Sequence, residues 1–155
     1  MTNPYVSGEL FLEDLHLGMR FTSSTHTVEA NQIIDFARQF DPQPFHIDPI
    51  AARSTLFKGL VASGWHTAAI TMRLIVGSVP VAGGVIGVGG EVNWPQPTRP
   101  GDILHVEGEI IDIHPSSSRP DRGIVTTRSE TLNQRNEIVQ NLTAKLVVFR
   151  RTVLA

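Results

Sequence analysis

The chain of 155 residues contains no cysteine. That absence removes a disulfide scaffold, a thiol nucleophile and a cysteine-ligated zinc together, and it fits a cytoplasmic protein. Charge is sparse and nearly balanced, with 13 Lys and Arg against 15 Asp and Glu and a net −2 with His neutral. Without a basic excess, neither nucleic acid nor an anionic membrane surface is an expected partner. Long apolar runs are lacking too. The most apolar stretch, Leu60 to Val76, is interrupted by Ser63, His66, Thr67, Thr71 and Arg73, and reads as a buried helix rather than a membrane span. The start, Met1-Thr2-Asn3-Pro4-Tyr5, has no basic region followed by an apolar run, so no signal peptide is expected. No repeat or linker divides the chain, which predicts one domain over residues 1–155 with residues 1–10 as a loose arm.

The patterning that is present predicts α+β with an antiparallel sheet. A strand is expected around Arg20 to His26, and Thr27 offers an N-cap with Glu29 in the first turn. Ile33, Phe36, Ala37 and Phe40 fall at i, i+3, i+4 and i+7, one face of a helix that Pro42 ends. Residues 41–58 form a long irregular connection. Gly59 to about Gly77 reads as a helix apolar on nearly all sides, which must therefore be surrounded by protein. Strands follow over Gly83 to Trp94, Ile103 to Ile113, Ile124 to Leu132 and Glu137 to Phe149. Asn133-Gln134-Arg135-Asn136 is a hairpin turn between the last two.

The stretch with most chemical content is Asp41-Pro42-Gln43-Pro44-Phe45-His46-Ile47-Asp48. Two prolines stiffen the backbone between a carboxylate and an imidazole, and the run Asp41 to Phe45 is expected to be non-helical. A carboxylate and an imidazole held near each other are candidates for acid/base work. The plain alternative is a Pro-rich turn after a helix, with Asp41 capping and His46 exposed.

This run resembles the Asp-x-Asn-Pro-(Leu/Ile)-His signature of the MaoC-like dehydratases, which include the R-specific enoyl-CoA hydratases. Lys58-Gly59-Leu60-Val61-Ala62-Ser63 resembles the family's His-Gly-Met-hydrophobic-Ala-Ser segment. The likeness runs from about Phe11 to Phe149. Gln43 stands where the family usually has Asn, Lys58 where it often has His, and Phe40 where it has Gly or Ser. The resemblance implies a hot-dog fold, a sheet wrapped around a long central helix, and a homodimer with active sites near the subunit interface. It implies reversible addition of water to a trans-2-enoyl thioester, giving a 3-hydroxyacyl thioester. No cofactor is expected beyond the coenzyme A or phosphopantetheine arm of the substrate.

On that reading Asp41 and His46 jointly hold and deprotonate water and deliver a proton at C2. The Gly59 amide, at the expected helix N-terminus, is the candidate donor to the thioester oxygen. Thr67 is either a substrate contact or a helix threonine bonding one turn back. Arg99, Arg119 and Arg122 are candidates for the coenzyme A phosphates, against the alternative of solvated surface arginines. Asp48 either orients His46 or caps a local turn, and His66 reads as a satisfied core histidine. No metal is expected. Two rival functions stand beside this one. A hot-dog thioesterase usually carries an Asp or Glu by its central helix, and none occurs from Leu60 to Gly77. A non-catalytic acyl-thioester-binding protein is the other.

Overall fold

The structure is a computed structural model, and it describes residues 8–151. The expected loose arm is therefore open to description only from Gly8. Its Leu10 is pinned: the amide donates to Pro80 O at 2.7 Å, and the carbonyl accepts from Ala82 N–H at 2.9 Å.

Among the described residues, six strands and three α-helices follow in chain order. β1 (Arg20–Thr22) and β2 (His26–Thr27) replace the single strand expected there. Thr27 thus ends a strand and does not cap the helix. α1 (Ala30–Phe40) opens at Glu29 and buries Ile33 and Ala37, as its spacing predicts. Phe40, expected on the same buried face, is exposed. α2 (Pro44–Ile47) is a single turn, a correction to the expected non-helical run. Proline is welcome at the first helical position, where its missing N–H is not needed and its φ already suits a helix. α3 (Gly64–Ser78) is the central helix, and it opens five residues later than expected. Ser63 caps it, with Oγ accepting the Trp65 amide at 3.2 Å.

β3 (Ile86–Asn93), β4 (Ile103–Pro115), β5 (Arg122–Leu132) and β6 (Ile138–Phe149) form an antiparallel sheet with β1, in the order β1-β4-β5-β6-β3, and β2 adds to β4. The β5–β6 turn is the expected one. Asn133 Oδ1 accepts the amides of Arg135 and Glu137, and Asn136 takes a positive φ. Along β4, Leu104, Val106 and Ile110 alternate onto the inner face; the first two share an apolar cluster with Ile70, Leu74 and Ile75 of α3, and Ile110 joins a second one with Leu12, Val125 and Val148. Alternation at period two against a helix at period 3.6 is what packs an antiparallel sheet on one helix.

Within one chain the sheet covers α3 on one side only. Trp65, Met72 and Val76 lie along its other face and are exposed. The all-round apolar pattern read from the sequence is real, but this chain does not supply everything that would bury it. No helix among the described residues is long and apolar enough to cross a membrane.

Candidate active site

The two prolines bring Asp41 and His46 together. Asp41 is the residue after α1, its φ of −154° turning the chain out of the helix. One turn of α2 then carries His46 back, so that Nε2 lies 3.3 Å from Asp41 Oδ2. His46 is buried, not exposed. Its Nδ1 is 2.7 Å from Val61 O. A carbonyl only accepts, so Nδ1 carries the hydrogen, and in the neutral ring Nε2 presents a lone pair toward Asp41. Two acceptors facing each other at that distance invite a donor between them.

Asp41 is tied from other directions. Gln43 Nε2 donates to Oδ1 at 2.6 Å. Burial pushes the Asp41 pKa up, but hydrogen bonds from Ser63 and Gln43 and the nearby His46 outweigh it and hold the carboxyl below its ordinary value. Ser63 therefore has two jobs, capping α3 and donating to Asp41. It was missed in the sequence reading, although a Ser immediately before an apolar helix is a start signal. Ser63→Ala should cost about 1 kcal/mol of stability through the lost cap. It should also move the acid limb of the pH–rate profile upward, because a bond that lowers the Asp41 pKa is gone. An unmoved limb would show that Ser63 serves the helix alone.

Beside the pair is a cavity of about 320 Å³ walled by His46, Phe57, Gly64, Thr67, Trp94 and Thr98 among others. Thr67 is where the sequence placed it, and its Oγ1 donates sideways to Thr98 Oγ1 at 2.9 Å instead of back along the helix. Gly59 is not in this wall. Gly59 lies in a bend and residues 60–63 belong to neither helix nor strand, held by Val61 N–H to Phe45 O at 3.0 Å and Ala62 N–H to Thr98 O at 2.9 Å. A Cβ on Gly59 would face Arg99. The role given to Gly59 rested on its opening the helix, and the amide at that end belongs to Gly64. The first amides of a helix lack intrahelical acceptors and carry the positive end of its dipole.

The other candidates separate. Arg99 lies beside the cavity, with Nη2 donating to Phe57 O at 2.9 Å. Arg122 pairs with Asp121 and stacks over Phe149, and Arg119 sits in the same turn. That turn is at the far end of β5 from Thr131, about 30 Å along the strand at ~3.3 Å per residue. Within one chain these two arginines do not join the site. Asp48 Oδ1 accepts the amides of Ile50 and Ala51, so it caps a turn and does not orient His46. Among the described residues no three His, Asp or Glu side chains gather as a metal-ligand set.

His66 is buried against Phe36, rings 4.7 Å apart and nearly parallel, but its Nδ1 has no partner, contrary to the satisfied histidine expected. Burial, and after it the neighbouring His26, holds its pKa below the ordinary 6.5. The unfolded imidazole then binds a proton more readily than the folded one. Stability is intact above 6.5 and is lost as pH falls through that value toward the lowered folded pKa. The thermal midpoint should fall over that window, and less steeply in His66→Phe, which keeps the stack. Loss from Asp41 comes separately, below its ordinary 3.8. An equal slope in His66→Phe would contradict the assignment.

Comparison with known proteins decides the family. The model of the MaoC like domain matches residues 16–133. The chain belongs to the MaoC-like dehydratases. Its structure superposes on the crystal structure of the MaoC-like dehydratase from Rhodospirillum rubrum with a TM-score of 0.90 and 64% identity, covering 93% of this chain and 99% of that one. It is 32% identical to the uncharacterized protein YdeM of Bacillus subtilis over 80% of this chain and 88% of YdeM. It is 27% identical to the 3-hydroxybutyryl-CoA dehydratase of Methylorubrum extorquens, over 71% of this chain and 69% of that protein. The fold is accordingly the hot-dog arrangement of antiparallel sheet and central helix that this MaoC-like family shares.

Proposed function

We propose that this MaoC-like protein is a hydro-lyase that adds water reversibly to a trans-2-enoyl thioester. The observation that carries the reading is the facing of Asp41 Oδ2 and His46 Nε2 at 3.3 Å beside a cavity that also contains Gly64 at the helix end. The name of the Methylorubrum relative supports a coenzyme A thioester as substrate.

Water bridging Asp41 and His46 Nε2 gives up one proton to the pair as its oxygen attacks C3. The pair delivers one proton to C2 and ends as it began. The two groups share the proton closely enough that the pair, not either residue, is the acid/base unit. Charge that builds on the thioester oxygen is met by the Gly64 amide and the positive end of α3, which are in place before the reaction starts. No Asp or Glu occurs in α3, so the helix offers no carboxylate for thioester hydrolysis. Purified protein incubated with a panel of enoyl-CoA thioesters should bleach the absorbance of the conjugated double bond. Persistence of that absorbance across the panel would defeat the reading and favour a protein that only binds acyl thioesters.

A further inference from the structure

The cavity beside Asp41 and His46 has the indole of Trp94 in its wall. Trp94 lies flat on Gly64, where an added Cβ would come within 2.8 Å of the ring. Trp65 meets it edge-on, ring centroids 5.3 Å apart. Trp94 Nε1–H donates to Gln140 Oε1 at 2.8 Å. An indole nitrogen only donates, so this bond fixes the orientation of the Gln140 amide.

Next to the indole, one part of the contact between α3 and the sheet is polar. Gln140, 1% exposed, sits directly opposite Thr131 in the β5–β6 register. Thr131 Oγ1 is 2.6 Å from Thr71 Oγ1, one helical turn on from Thr67. Two buried atoms in this layer, Gln140 Nε2 and Ser129 Oγ, have no partner. An alkyl chain driven into it would have to move the indole and part the threonine pairs. It would then set methylenes against polar groups that gain nothing from them.

We infer that the acyl group taken by this site is short, and that Trp94, oriented by Gln140, sets the limit. The inference rests on the enoyl-thioester reading above. Trp94 is the specificity-determining wall, because it packs on the Gly64 whose amide meets the thioester and so stands beside the first carbons of the acyl group. Gln140 touches no substrate and is a positioning residue. Phe45, Phe57 and Pro97 give the rest of the cavity an apolar lining suited to a few carbons.

The test compares crotonyl-CoA with octenoyl-CoA for kcat/KM, and butyryl-CoA with octanoyl-CoA for calorimetric binding, since the saturated thioesters cannot be hydrated. The wild type should favour the four-carbon member of each pair by about tenfold or more. Trp94→Ala should shift both ratios toward eight carbons by about tenfold, and Trp94→Leu serves if the alanine variant does not fold. Gln140→Leu should shift them in the same direction by less. A merely structural loss would lower activity on both substrates and leave the ratio alone. A wild type that takes eight carbons as well as four, or a folded Trp94 variant with unmoved ratios, overturns the limit while leaving hydration standing. Size-selective binding without turnover of any enoyl-CoA supports the limit and refutes the hydratase reading. Absence of both binding and turnover refutes both.

Discussion

Asp41→Asn and His46→Gln should each lower enoyl thioester hydration by about 100-fold or more. The thermal midpoint should stay close to that of the parent. The asparagine keeps an oxygen to accept from Gln43, so the turn between α1 and α2 holds, but it can no longer take a proton. The glutamine at 46 can still donate to Val61 O, the bond that seats the imidazole, but it has no ring nitrogen to take up and return a proton. Because the two side chains form one acid/base unit, the double variant should be little worse than either single one. Steady-state rates at saturating substrate, with circular dichroism as the check on folding, decide the matter. Activity near that of the parent in either single variant would move the chemistry elsewhere.

In solution the chain should be at least a homodimer, with a mass of twice its own 17.0 kDa or more at micromolar concentration. Two exposed apolar surfaces carry this expectation. On α3, Trp65, Met72 and Val76 are 60%, 42% and 55% exposed at spacings that share one helix face. On the sheet, β3 pairs only with β6 among the described residues, so its other edge is open, and Val88 there is 57% exposed. An open apolar edge is a liability that pairing with a second copy removes. Trp65 belongs to the exposed face and also meets Trp94 in the cavity wall, so the same association would bear on the site. Met72→Glu combined with Val88→Glu should give the monomer mass by sedimentation equilibrium. A wild type that sediments as monomer at micromolar concentration would contradict the expectation.

The parts of the fold legible in the sequence are those with a period. α1 shows its buried face through Ile33 and Ala37, and β4 shows its own through Leu104, Val106 and Ile110. The start of α3 was misread for a physical reason. Leu60, Val61 and Ala62 are all buried, and a short continuous apolar run looks the same whether it is the end of a helix or an extended segment buried on both sides. Hydrogen bonds to Phe45 and Thr98 hold it outside the helix. The same reading put Gly59 at the helix start, which Gly64 occupies. Asp41 and His46 were legible because the prolines between them are a local constraint. Gln43, in place of the family's usual Asn, still reaches Asp41, so that departure keeps the contact. Trp94 and Gln140 meet only through the pairing of β3 with β6, a long-range contact that spacing along the chain does not announce. Phe40 and Trp65 look like core in any apolar pattern, and only the fold reveals that the described residues leave most of each exposed.

The central claim is that water adds across a double bond at Asp41 and His46 and that the thioester survives. Incubation of the protein with crotonyl-CoA in deuterium oxide, followed by mass spectrometry of the products, addresses it directly. The account predicts a 3-hydroxyacyl-CoA carrying one deuterium on C2 that, once the protein is removed, does not wash out in ordinary water, and no free coenzyme A. Release of free coenzyme A, or recovery of unchanged crotonyl-CoA, would contradict it.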